Sequence, residues 1–556
     1  MKRNILLFAD AAAQIPASVI EAVNPPASHS RRFVRAFAVA ALSASACFIE
    51  VAQTSAGTVD NFTGTSLSGS SYTSTPISGT AYNNGSDVDL TTSTSALTIN
   101  GTVNVNMESL YDPGTKVGTI TNTTSGATST LTLGNNFGFT NANNTSAAVP
   151  DLIYIGAAGS KNLTIGGGAG TLNIVLASSG NIDNAATGAG SNGVTFTISS
   201  NIGDGGNGFG LNISGTAPDP VVFTGTNTYS GGTTVSAGEL DVAGDASLGA
   251  VPTTATTDIT VNGGELSSVS GNSFTIGATR TILLGSSAST LFGVKGTGSI
   301  VTYNGSFQDL TTGGVLTKQG AGTLLLGGNS TFTGPTTINT GVIQLNVANA
   351  LATTSGITVN TATTLSLTAS NALATPTAST GVGTMAPGTT STTQVPVTLS
   401  GGMLLRTGAG VSLGTQTGST GTVGLGTLTL TAASTINYGT MGVGTLNFNG
   451  LAGVSATNTL AITNYTTTEL PSTPGVDGTD DRLIFNQDAL LSGELPYITI
   501  DGGAVAEVLL GNGEYEVTEV VPEPSTWAAG LLGLGVLACL FASRNKRFSE
   551  TTSLGA

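Results

Sequence analysis

Glu514-Tyr515-Glu516 sets two carboxylates two residues apart, on the same face of any strand that contains them. Two carboxyl groups flanking a glycosidic bond can supply the acid and the base or nucleophile of sugar hydrolysis. Exposed strand ends account for the same pattern without chemistry. Asp477-Gly478-Thr479-Asp480-Asp481 is the densest acidic spot in the chain. Hard cations such as calcium take several oxygen ligands, but this spacing departs from that of a helix–loop–helix calcium site. A polar turn whose aspartates cap backbone groups would lead equally well into Arg482-Leu483-Ile484-Phe485. Asp204-Gly205-Gly206-Asn207-Gly208 has the look of a glycine-rich calcium turn, yet occurs once where such turns work in tandem, so a plain loop is expected. No catalytic, cofactor-binding or metal-binding residue is assigned on these grounds, and calcium is the one cofactor left open.

Composition narrows the chemistry further. The two cysteines are Cys47 and Cys539, and the single histidine is His29. The stretch from Gly57 to Thr526 therefore holds neither type, which removes thiol nucleophiles, histidine bases, Ser-His-Asp triads, His or Cys metal sites and internal disulfides. Residues 51–543 carry seven basic residues (Lys116, Lys161, Arg280, Lys295, Lys318, Arg406 and Arg482) against 27 acidic ones, a net charge of −20. Such a chain is a poor ligand for nucleic acid or anionic lipid, and no nucleic-acid partner is expected. A polysaccharide-acting β-helix enzyme, lyase or hydrolase, would need Arg or Lys gathered beside paired carboxylates in a groove. With so few basic residues only folding could gather them, so that cluster is the feature that discriminates an enzyme from a structural protein.

The elements that must position these residues are strands. Leu97-Thr98-Ile99, Val103-Asn104-Val105-Asn106-Met107, Leu131-Thr132-Leu133, Val194-Thr195-Phe196-Thr197-Ile198 and Leu428-Thr429-Leu430 alternate apolar with polar. Gly, Asn and Ser clusters separate such runs, and no sustained helical period appears between them, so an all-β chain is expected. Charged residues are only 8% of the chain, yet the ordered alternation and a hydrophobic share of 39% argue against disorder.

An internal repeat specifies the architecture. Residues 225–240 align with 328–343 at an offset of 103, matching Tyr229 with Phe332, Gly231 with Gly334, Val235 with Ile338, Gly238 with Gly341 and Leu240 with Ile343. Lys318-Gln319-Gly320-Ala321-Gly322-Thr323-Leu324-Leu325-Leu326 precedes the second copy. These segments resemble the autotransporter-associated β-strand repeat of surface-protein passenger regions. That resemblance implies a right-handed parallel β-helix, a β-solenoid in which each coil buries its inner face only by stacking on its neighbours. β-Sandwiches, with hairpin-joined strands, are the rival. Gly439 to Val520 is too short and irregular for the membrane barrel that ends true autotransporters. The expected organisation is an extension and signal peptide over 1–56, a Thr/Gly/Asn-rich solenoid over 57–215, the repeat region over 216–368, a β-rich part over 369–520, a sorting signal over 521–548 and a short tail over 549–556.

The two ends speak of destination. Pro522-Glu523-Pro524 is followed by Trp527 to Ser543, 17 uncharged residues, and then by Arg544, Lys546 and Arg547. At about 1.5 Å per residue such a helix just spans a bilayer, with the basic triplet on the cytoplasmic side. The order of box, helix and basic cluster over Val521 to Phe548 resembles a PEP-CTERM sorting signal. That resemblance implies handling by an exosortase, with transient anchoring in the inner membrane before the chain reaches the cell surface or the extracellular matrix. Arg31, Arg32 and Arg35 precede the apolar stretch Ala36 to Ile49, which reads as a signal peptide for the general export machinery, cleaved near Ala56. The expectation is a non-enzymatic surface or matrix protein, a stalk or adhesin in a biofilm, with extracellular polysaccharide as the partner that destination suggests.

Overall fold

A short strand with one apolar face is not stable alone and must lay that face against neighbours. In the computed structural model the alternating runs do so as parallel strands. The described residues lie between Val59 and Val520 and are continuous over 219–373 and 425–467. Residues 1–58 and 521–556, with parts of several connecting segments, lie outside them. Everything described belongs to the unit Gly57–Ala556.

Successive coils are joined by parallel ladders. In the longest sheet Phe196–Ile198 pairs with Pro220–Phe223, which pairs with Glu239–Val242, then Glu265–Ser268, Leu291–Gly293, Leu316–Gln319 and Thr336–Ile338. The ladder continues through Ile357–Asn360, Val397–Ser400, Leu425–Ala432 and Thr445–Ala452 to Arg482–Phe485. The chain also visits a ten-stranded sheet that ends at Ser306–Asp309, a four-stranded sheet that ends at Asn201–Gly203 and a nine-stranded sheet that begins at Phe274–Ile276. Leu240 stands opposite Leu266, and Leu266 opposite Phe292, so here one coil is 26 residues. These inward residues are buried and form one apolar core from Val105 to Val517.

The expected strands are present: Leu97–Asn100, Asn104–Met107, Thr128–Leu133, Phe196–Ile198 and Leu425–Ala432. The fold is all-β, with parallel coils stacked as in a β-solenoid. Among the described residues antiparallel strand pairing is confined to Pro76–Ile77 with Thr80–Ala81, to an insertion around Thr377–Ser379, and to a terminal hairpin. In that hairpin Tyr515–Glu519 lies between Arg482–Phe485 and Val505–Leu509 and turns the long sheet's last parallel strand into an antiparallel end. No helix among the described residues is long and apolar enough to cross a membrane. The expected span Trp527 to Ser543 and the expected signal peptide lie outside the described residues.

Both repeat copies are built alike locally but sit on different sheets. Thr233–Val235 belongs to the ten-stranded sheet, whereas its counterpart Thr336–Ile338 belongs to the longest one. The reason is that Glu239–Val242 stays on the longest sheet while Val342–Leu345 joins the nine-stranded one, so the second copy is shifted by one side. The local pattern survives the shift. Thr228 N donates to Ile202 O in the coil before, as Thr331 N does to Phe307 O. Tyr229, Phe332, Val235, Ile338, Leu240 and Ile343 all point into the core. A Cβ on Gly231 would stand 2.3 Å from Gly208 O, and one on Gly334 2.2 Å from Gly314 O. Close approach of the preceding coil, rather than a special dihedral, demands glycine there.

Candidate functional site

The described carboxylates singled out by sequence are already engaged; Asp477 and Gly478 lie outside the described residues. Asp204 Oδ1 accepts from Gly206 N at 2.9 Å, and Oδ2 accepts from Gly208 N, Phe209 N and Ser230 N and from Ser230 Oγ at 2.7 Å. The glycine-rich turn is therefore folded around its own aspartate and clipped to the next coil. Burial acts to raise the Asp204 pKa, but the bonds from Ser230, Gly206 and Phe209 outweigh it and hold the carboxyl below its ordinary value. Asp309 does the same for the second copy, accepting from Gly314 N at 2.7 Å, Thr333 N at 3.0 Å and Thr333 Oγ1 at 2.7 Å. Sequence reading missed this partner, although Thr333 is aligned with Ser230 at the same offset of 103.

Asp480-Asp481 and Glu514-Tyr515-Glu516 converge in the last coils, together with two arginines. Arg406 Nη2 donates to Asp481 Oδ1 at 2.8 Å, and the same oxygen accepts from Gly444 N at 2.8 Å. Asp481 Oδ2 accepts from Thr466 N at 2.9 Å. Arg482 grips Glu516 through Nε at 3.2 Å and Nη2 at 2.9 Å, with both side chains at most 2% exposed. Glu514 Oε1 accepts from Asn447 Nδ2 at 3.2 Å. Tyr438 Oη donates to Arg482 O at 2.7 Å, and the Tyr438 ring meets Tyr465 edge-on at 5.3 Å. Glu514 and Glu516 are thus both buried in the terminal hairpin. The pair is not at an exposed strand end: Glu516 belongs to an internal ionic lock and Glu514 to a buried hydrogen bond beside it. Among the described residues no group of three or more Asp, Glu, His or Cys is arranged to hold a metal ion.

A cluster of basic and acidic groups forms elsewhere, on the outer side of the longest sheet. Parallel pairing places Glu239 beside Glu265, Asp241 beside Ser267, and Ser267 beside Gly293. These residues alternate with the inward Leu240, Leu266 and Phe292. Lys295 Nζ lies 2.7 Å from Glu239 Oε1 and 2.7 Å from Asp241 Oδ2, with 29% of its side chain exposed. Burial, reinforced by Glu239, pushes Glu265 up to about 7, and burial pushes Asp241 up to about 6 despite its bond to Lys295. A carboxyl near 7 can give or take a proton at neutral pH. The signal was legible: Gly238-Glu239-Leu240 recurs as Gly264-Glu265-Leu266 after one coil of 26 residues.

The other described basic residues between 51 and 543 are held inside. Arg280 is fully buried between Asp245 and Asp258 and donates to the carbonyls of Asp245 and Gly249. Lys318 points inward opposite Phe292 and donates to Gln319 O and Gly320 O, both at 2.7 Å, and burial lowers its pKa to about 8.

Two family models match the chain. The passenger-associated-transport-repeat model matches residues 221–242 and 316–345, the strands and arcs just described. The PEP-CTERM protein-sorting motif model matches residues 520–547, which include Pro522, Glu523, Pro524, Arg544, Lys546 and Arg547. Those six residues lie outside the described residues, just past the strand Tyr515–Glu519. No curated protein and no solved structure matches the chain. The sorting motif implies export to the cell envelope with processing by an exosortase. The chain carries a PEP-CTERM sorting motif, and its parallel coils include passenger-associated-transport repeats.

Proposed function

We propose that the chain is a non-enzymatic surface or matrix protein, a right-handed β-solenoid that serves as a stalk or adhesive surface once the exosortase has handled its C-terminal signal. In this reading the general export machinery delivers it to the inner membrane, where it is anchored transiently before reaching the surface. The observation that carries the reading is the commitment of its ionic groups to partners within the fold. Arg280, Lys295, Lys318, Arg406 and Arg482, together with Asp204, Asp481 and Glu516, all bind groups of the fold itself. Polysaccharide recognition by such a surface rests on hydroxyl, amide and outward carboxylate groups.

A second reading, a lyase or hydrolase acting on polysaccharide, draws on one observation, Lys295 set between Glu239 and Asp241 with Glu265 alongside. One experiment separates the two. Purified full-length protein is applied to a glycan array, and any glycan it retains is assayed for new reducing ends or unsaturated ends. Retention without cleavage is expected. Cleavage that disappears in Glu265→Gln would replace the structural reading with the enzymatic one.

A further inference from the structure

We propose that Asp241, Glu265 and Ser267 form a binding site for the primary ammonium group of an amino sugar, and that Lys295 is a tethered ammonium that closes the site in the free protein. The first support is an unmet hydrogen-bonding demand. Ser267 is 2% exposed, and its Oγ has no hydrogen-bond partner. Asp241 Oδ1 is likewise buried without one, while Asp241 Oδ2 holds Lys295. A buried polar atom without a partner is costly, and a ligand that supplies the partner recovers that cost.

The second support is shape. Asp241, Ser267, Gly293 and Gln319 follow one another at the same register, so the row has a residue with no side chain next to Ser267. A Cβ at Gly293 would stand 2.2 Å from Ser267 Oγ and 2.3 Å from Glu265 Oε1, so these two oxygens lie within 4.5 Å of each other over bare backbone. With Asp241 Oδ1 they offer three acceptors, and an ammonium group carries three donors.

The third support is the internal stand-in. Lys295 follows Leu291–Gly293 and reaches Asp241 two strands away. Its side chain therefore crosses the intervening strand Glu265–Ser268, which carries Ser267. The patch thus already accepts a primary ammonium, on a flexible stem open to solvent. Three carboxylates facing one surface lysine, with Lys318 beneath, leave negative charge in excess, which adds to burial in pushing Glu265 up to about 7. The ligand is an ammonium rather than a metal ion, since no metal-holding group occurs among the described residues. The ligand class is an amino sugar because Glu239 adds a further acceptor for neighbouring hydroxyls, while Pro220, Val222 and Leu291, at the paired positions alongside, offer apolar surface to the face of a sugar ring. That choice of ligand rests on the proposed surface role, and the site itself does not.

The test is calorimetric titration of the full-length chain at pH 7 and low salt. The probes are a glucosamine oligosaccharide, its N-acetylated counterpart, a lysine-rich peptide and calcium. The glucosamine oligomer should bind and the N-acetylated one should not. Lys295→Ala should bind the glucosamine oligomer roughly tenfold more tightly because its tethered competitor is gone, and Glu265→Gln and Ser267→Ala should each weaken it about tenfold or more. Should Lys295→Ala fail to fold, Lys295→Gln, which keeps much of the stem, carries the same expectation. Unchanged or weaker binding in both lysine variants, equal binding of the N-acetylated probe, preference for the peptide, or a response to calcium alone would each overturn the proposal. A chain that binds the amino sugar yet never reaches the surface would overturn the export reading and leave the site standing.

Discussion

Truncating Phe332 to alanine should open the second repeat copy locally and leave distant coils intact. Phe332 is fully buried and meets Phe307 edge-on at 6.4 Å, and Phe307 in turn packs on Tyr303 at 4.6 Å and Phe292 at 5.6 Å. Removing a buried phenyl ring costs about 3–5 kcal/mol, and loss of an edge-to-face partner places this site toward the upper end. In stacked coils such a loss passes first to neighbours, so a single global unfolding energy is the wrong readout. Native-state hydrogen exchange is the right one. The amides of Thr331, bonded to Phe307 O at 2.8 Å, and of Ser330, bonded to Ala350 O at 3.1 Å, should lose protection by about 10³–10⁴-fold. Protection in Leu425–Ala432 should be unchanged. Tyr229→Phe is the matched control: it keeps the ring and loses only the 2.6 Å bond to Thr233 Oγ1, while Thr233 still donates to Leu248 O. It should cost about 1 kcal/mol. Loss of protection spread evenly over the chain, or under about tenfold at Thr331, would refute the reasoning.

Glu516→Gln neutralises the buried carboxylate that Arg482 grips and should cost about 3 kcal/mol, read as early protease cleavage in Val505–Glu519 with the upstream coils intact. Asp309→Ala removes three accepted bonds and should lower protection at Gly314 and Thr333 by about tenfold in exchange experiments. Glu265 has a folded pKa near 7 against an ordinary 4.5, so protonation favours the fold. That contribution is fully present below about 4.5 and is lost as pH rises through 7. After allowance for solvent screening it amounts to about 1–2 kcal/mol. Thermal unfolding followed from pH 5 to 8 should show it in the wild type and not in Glu265→Gln.

The alternation of apolar and polar residues announced the strands, because a one-sided strand in a stacked coil leaves no freedom about which face goes inward. The repeat announced the inward residues for the same reason: Tyr229, Val235 and Leu240 occupy the pattern that Phe332, Ile338 and Ile343 repeat. The sheet that each copy joins was not legible, since that depends on how many sides the intervening coils visit. Acidic side chains misled most. Asp481 and Glu516 look free in sequence because their arginines stand 75 and 34 residues away. Conversely, Glu239, Glu265 and Lys295 are unremarkable one by one and become a cluster only through register. In parallel coils, chemistry assembles at intervals of one coil, and those intervals vary along this chain.

The central claim is that this solenoid is directed to the cell surface by its C-terminal signal, which is processed on the way. Peptide mapping by mass spectrometry of the surface and secreted fractions tests it directly, in the wild type beside a variant with Arg544, Lys546 and Arg547 made neutral. The account predicts abundant peptides from the coils, none beyond Trp527 in the wild type, and a sharp fall in surface yield for the variant. Mature surface protein that retains the segment from Ala528 to Ser543, or a variant that reaches the surface at the wild-type level, would contradict it.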